Sequence, residues 1–241
     1  MKRDDELAIA ALALMWAIGG KASTVNNSRD PALVEWLPGM TNAEAFRVRD
    51  WSPWWTFPIP RLVLPGAQTF PPAMSQEWKR GPHYGVDLMY SRRGAGDANV
   101  PGTIAAWPPG GKNGSLRFFC PPGAPVVAAR TGRVWSVEQT SRGIMVVIDH
   151  GPPWATMYQH LQTTTLPMMA RGKRTDGKPA PEVQMGATIG TAGWDPTDGA
   201  LLRHLHFAAW YKGAGDAASV DPQRGIERWA VVEWEPGKIP V

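Results

Sequence analysis

Histidine is scarce in this chain, with five in 241 residues: His83, His150, His160, His204 and His206. Four of them stand in patterns that could serve one reaction. The run "HLHF" sets His204 and His206 two apart, and in a strand such side chains share a face while Leu205 and Phe207 pack on the other. "GPHYGVDL" places His83 four residues before Asp87. In "MYQHL", alternation would put Thr156 and Tyr158 on the face of His160. Zinc accepts imidazole nitrogen and carboxylate oxygen at about 2.0–2.2 Å, and a catalytic site keeps three protein ligands and one open position. His83, Asp87 and one histidine of the 204/206 pair would supply those three ligands. His160 could stand beside the metal without binding it. A lone His-x-His on a strand is usually a hydrogen-bonded pair; the company of His83, Asp87 and His160 raises it above that.

Short strands must position these residues. "PVVAA" (125–129), "RVWSVEQ" (133–139), "IMVVID" (144–149), "ATMYQHL" (155–161), "ATIGTAG" (187–193) and "HLHFAAWY" (204–211) alternate with Gly- and Pro-rich turns. Glycine (26) and proline (24) make up about a fifth of the chain, which excludes a helical bundle and points to long ordered loops. The expected fold is mainly β, an antiparallel β-sheet or sandwich with long Pro/Gly-rich loops. The stretch "DWSPWWTFPIPRLVLPG" carries Pro53, Pro58, Pro60 and Pro65 with three tryptophans. It predicts an extended segment without regular structure, strapped over a neighbouring surface by its aromatics.

A single cysteine, Cys120, excludes an intrachain disulfide and any zinc site built on two thiolates. With no histidine or helix start near it in sequence, Cys120 reads as a small buried residue. The net charge of +4 is mildly basic and its lysines and arginines are scattered, so no nucleic-acid module follows. Simple solubility accounts for such a charge, and the sharper reading is attraction to an anionic polymer such as nucleic acid or bacterial cell wall. No GxSxG, HExxH, GxGxxG or complete phosphate loop occurs.

In their order along the chain, His83-x-x-x-Asp87, the "YQHL" histidine and His204-x-His206 resemble the lysostaphin/LytM-type zinc endopeptidases that cleave peptidoglycan cross-bridges. "GAPVVAARTGRV" (123–134), "VVIDHG" (146–151), "VQMGATIGTAG" (183–193) and "VDP" (220–222) fall in the family's order too, so the resemblance covers about residues 80 to 222. It implies the LytM (duplicated hybrid motif) type of sheet. It also implies Zn2+ held by His83, Asp87 and His206, with His160 and His204 as unliganded catalytic histidines. Which of those two acts as base and which braces the oxyanion stays open. Ala208 stands where many members carry a glutamate, and Arg203 where a small residue or proline is usual. The segments 91–123 and 167–182 are longer than the family's loops and would flank the cleft. Tyr158, Trp154 and Trp194 are candidate substrate-binding residues, as is Trp107 on its loop; core anchoring is the competing role for the tryptophans. His150, at a strand end, reads as structural.

The expected organisation is an apolar N-terminal segment (1–22), a loop-rich lead-in (23–80), a zinc endopeptidase domain (81–222) and a C-terminal extension (223–241). Leu7 to Ile18 is too short for a membrane span and fits either a signal-peptide core or a short helix docked on a partner. The implied function is hydrolysis of peptidoglycan cross-links or stem peptides, in the cell envelope, the periplasm or outside the cell, or within a phage virion. The alternatives are a catalytically silent LytM-like binding, regulatory or structural virion module, and a metallopeptidase acting on proteins.

Overall fold

The computed structural model describes residues 55–66, 68–76, 84–91, 118–151, 154–196, 203–212, 217–220, 222, 226 and 229–237. The apolar segment 1–22, with its expected helix, and the loop carrying Trp107 lie outside the described residues. In chain order the strands are β1 (Arg61–Leu64), β2 (Gln68–Phe70), β3 (Pro72–Gln76), β4 (Val86–Ser91), β5 (Phe118–Phe119) and β6 (Pro125–Val127). Then come β7 (Gly132–Thr140), β8 (Gly143–Asp149), β9 (Trp154–Thr164), β10 (Met169–Ala170) and β11 (Lys173–Arg174). The last are β12 (Glu182–Val183), β13 (Thr188–Trp194), β14 (Arg203–Lys212), β15 (Ala217–Val220) and β16 (Glu233–Trp234).

Most of these strands form one antiparallel sheet in the order β11-β10-β7-β8-β9-β13-β14-β4-β3. β8 shows why its residues make a strand. Val146 and Ile148 pack on one face with the main core, while Met145 and Val147 join a second cluster on the other. A run of β-branched residues buried on both faces has no polar alternation to show, and "IMVVID" has none. The main core holds Val86, Leu88, Tyr158, Leu205 and Phe207, and the second cluster holds Met157, Ala208 and Trp210. β14 therefore has the expected alternation: Leu205 and Phe207 go to the main core, and Ala208 and Trp210 lie on the face of the histidine pair.

The proline-rich lead-in departs from expectation. Regular structure does form there, because Pro60 and Pro65 bracket β1 instead of interrupting it and so remove no ladder donor. β1 pairs antiparallel with β2 and parallel with β16, joining the lead-in to the C-terminal extension in a three-stranded sheet. The aromatic strap is present as expected. The Trp55 ring stacks on Trp229 at 5.0 Å between centroids and meets Trp154 edge-on at 5.6 Å. β3 also pairs with β4, Met74 opposite Leu88, so the lead-in continues directly into the main sheet. The 167–182 segment, expected as a cleft wall, contributes β10, β11 and the start of β12 along β7, and β8 lies between them and β9. Among the described residues no helix is long and apolar enough to cross a membrane.

Trp55, itself in the lead-in, is 1% exposed and touches Trp229 of the C-terminal extension and Trp154 of the main sheet. Trp55→Ala is expected to cost about 3–5 kcal/mol of folding stability, seen as a lower urea midpoint with an unchanged denaturant slope.

Candidate active site

Two of the proposed metal ligands meet through strand register. β14 lies against β4 with His206 directly opposite Asp87, flanked by the pairs Leu205–Leu88 and Phe207–Val86. Opposed residues in an antiparallel pair project from the same face with their Cβ atoms about 4.5–5.5 Å apart. The side chains close the remaining gap: His206 Nδ1 stands 3.0 Å from Asp87 Oδ1, and His204 Nε2 is 3.9 Å from the same oxygen. Gly85 makes this approach possible. A Cβ there would sit 2.6 Å from both His206 Nε2 and the Phe207 carbonyl oxygen.

His160 reaches the same place by breaking its strand's alternation. Along β8 and β9 the register shifts, so that Val146 opposes Tyr158 but Ile144 opposes Leu161. Gln159 and His160 thus share one position of the ladder, the signature of a β-bulge. His160 takes φ +65°, a left-handed conformation uncommon outside glycine. Tyr158 and Leu161 stay in the main core, while the His160 ring turns to the histidine face. It lies 4.7 Å from the His204 ring and 5.8 Å from that of His206, between centroids. The bulge falls where β9 exchanges partners, pairing with β14 up to Gln159 and with β13 from Leu161. Gly193 of β13, opposite His204, fits against it; a Cβ there would be 2.6 Å from the His160 carbonyl oxygen.

The His160 ring is buried and held. Its Nδ1 lies 2.9 Å from the carbonyl oxygen of Arg142. A carbonyl only accepts, so Nδ1 carries the proton and Nε2 keeps its lone pair. Burial first, then the neighbouring His204 and His206, push its pKa down to about 3, so the ring is neutral near pH 7. Arg142 also faces Asp195, Nε to Oδ2 at 3.6 Å, with little of either side chain exposed.

The structure therefore brings together Asp87, His160, His204 and His206. His83 lies outside the described residues. Tyr158 is not a groove wall. It is fully buried against Phe207, and its hydroxyl accepts from Ala129 N at 2.8 Å and from the Thr156 hydroxyl at 3.1 Å. The alternation expected to place it beside His160 fails at the bulge. Trp154 is likewise a core residue, packed on Trp55. Trp194 differs: it lines a cavity of about 210 Å³ with Gln139, Gln162, Gly193 and Pro196. The Arg203 guanidinium sits over its ring at 4.7 Å. His150 is structural, bridging the Thr131 carbonyl oxygen and the Thr156 hydroxyl. Burial pushes the Cys120 thiol up to about 12, leaving it inert.

Sequence reasoning missed Gly85, Gly193, Gln159, Arg142 and Asp195. Glycine inside a strand pattern is a signal of close backbone approach and could have flagged the first two. The others carry no local signal.

Asp87 and His206 stand at a spacing that fits two ligands of one zinc ion. Two ligands at about 2.0 Å in a tetrahedral shell stand about 3.3 Å apart, near the 3.0 Å between Asp87 Oδ1 and His206 Nδ1. Among the described residues no three His, Cys, Asp or Glu side chains group to hold a metal, the expected third ligand being His83.

Residues 111–222, which include His160, His204 and His206, match the model of peptidase family M23. The chain thus resembles the lysostaphin/LytM-type peptidases, as its motifs imply. No curated protein matches it. Among solved structures it is similar to a Ruminococcus gnavus protein named lytM and assigned as a glycyl-glycine endopeptidase. There the identity is 17%, the coverage 82% of this chain and 70% of that one, and the TM-score 0.49. It is similar also to the catalytic domain of the antimicrobial peptidase lysostaphin from Staphylococcus simulans, at 17% identity over 66% and 92% with TM-score 0.39. A third likeness is to the SpoIIQ-SpoIIIAH pore-forming complex, at 20% identity and TM-score 0.35, covering 44% of this chain and spanning 58% of that one.

Gly193→Ala should force the His160 peptide away from β13. A cost of about 1–3 kcal/mol, typical of overpacking, is expected in urea denaturation.

Proposed function

We propose that this chain is a zinc-dependent endopeptidase that hydrolyses peptide bonds in the cross-links or stem peptides of bacterial peptidoglycan. The observation that carries the proposal is the meeting of Asp87 Oδ1 and His206 Nδ1 at 3.0 Å, with the rings of His160 and His204 beside them. Asp87 and His206 would hold the ion together with His83. When bound, zinc supplies Lewis acidity, lowering the pKa of a coordinated water and polarising the scissile carbonyl.

The remaining chemistry belongs to the two imidazoles not assigned to the ion. His160, with Nδ1 tied to the Arg142 carbonyl, has its Nε2 lone pair available to accept a proton. His204, with Nε2 near Asp87 and its ring against His160, is the group we assign to brace the oxyanion or protonate the leaving amine. Trp194 lines a cavity that also takes in Gly193, the residue opposite His204, and would offer the open side of its ring to a glycan or peptide. Such an activity belongs in the cell envelope, outside the cell, or in a phage particle. In these places residues 1–22 would act as a signal or as a docking helix.

Purified protein incubated with peptidoglycan should release peptide fragments, and a chelator should stop it until zinc is restored. His206→Ala is expected to lose zinc by metal analysis and all turnover with it; hydrolysis that survives chelation or this substitution would sink the proposal. His160→Ala should keep its zinc yet lose about 10²–10⁴ in kcat.

A further inference from the structure

We infer that Asp195 is a positioning residue for His160, acting through Arg142; the inference rests on the part given to His160 above. His160 needs such support. Its backbone sits in a left-handed conformation on a bulge, at φ +65°, so local preference does not hold the ring where it is. What holds it is the bond from its Nδ1 to the Arg142 carbonyl oxygen at 2.9 Å.

That carbonyl belongs to the tight turn between β7 and β8. The Thr140 hydroxyl donates to the Gly143 carbonyl oxygen at 2.8 Å and accepts from Arg142 N at 3.0 Å, which shapes the turn itself. These bonds do not tie the turn to the rest of the sheet near His160. The Arg142 guanidinium does, reaching Asp195 with Nε 3.6 Å from Oδ2. Their side chains are only 15% and 8% exposed, so the pair is shielded from water and its geometry is maintained.

Asp195 directly follows β13, the strand whose Gly193 lies against the His160 carbonyl. β13 therefore grips His160 twice. Gly193 sets the peptide, and Asp195, through Arg142, sets the carbonyl that orients the ring. The tautomer with its proton on Nδ1 depends on that carbonyl staying in place. Asp195 touches no reacting atom in this scheme.

The test substitutes Asp195→Asn in the zinc-loaded full chain and alone or combined with His160→Ala. Alone, it should lower kcat on peptidoglycan about ten- to a hundredfold, with KM within about twofold and zinc content unchanged. In the His160→Ala background it should cost nothing further, because there is no ring left to position. An equal loss in both backgrounds would overturn the inference. Arg142→Lys, which keeps the carbonyl and the charge but not the planar fork, should lose less than Asp195→Asn and serves if that variant fails to fold. Histidine ¹⁵N spectra provide a readout independent of turnover. The wild type should show His160 protonated at Nδ1, and Asp195→Asn a mixture of tautomers; unchanged His160 signals would overturn the inference. Wild-type protein without turnover would remove the peptidase reading, while these spectra would still decide the positioning role.

Discussion

Everything at the site depends on the register of β14 between β4 and β9. His206 faces Asp87 on one side and Gln159 on the other. A slip of one residue would carry both histidines of the pair to the opposite face of the sheet and bring Leu205 and Phe207 out of the core. The main core blocks that slip. Leu205 and Phe207 are fully buried, and Phe207 packs edge-on to Tyr158 and Trp229. The hydrophobic face of β14 thus sets the register, and the polar face receives its geometry as a consequence.

The bulge in β9 is the exception to regular pleating, and it serves the site. A straight strand would have sent His160 into the core beside Tyr158. One extra residue and a left-handed backbone turn it onto the face of the other histidines. Such a conformation persists only where its surroundings over-determine it. Here the surroundings are the glycines that allow close packing, Gly193 and Gly143, together with the carbonyl of Arg142. Gly143 has φ +95°, and a Cβ on it would stand 3.1 Å from the Leu161 carbonyl oxygen.

The tryptophan-rich ends have a different task. Trp55, Trp229 and Trp234 close the main core from the side opposite the histidines, through the small sheet that joins the lead-in to the C-terminal extension. This explains why Trp154, near the site in sequence, is an anchor for Trp55, whereas Trp194, at the end of β13, lines a cavity.

The strands from 125 to 211 were legible because short β-branched runs between Gly and Pro turns have few other ways to bury themselves. The face shared by His204 and His206 was legible because β14 alternates without a break, and the motif singled out Asp87, which the structure sets beside His206. Where His160 points was not, since a bulge leaves no mark in a pattern that assumes period two, and that same assumption put Tyr158 in the groove. Nor could β1 be seen among prolines, because its pairing partners come from segments distant in the chain. By itself the sequence determined which residue types were available for chemistry and which strands carried them. Only the tertiary structure decided which of those side chains meet, because register, bulges and the pairing of distant segments are set by packing between strands, and no single strand encodes them.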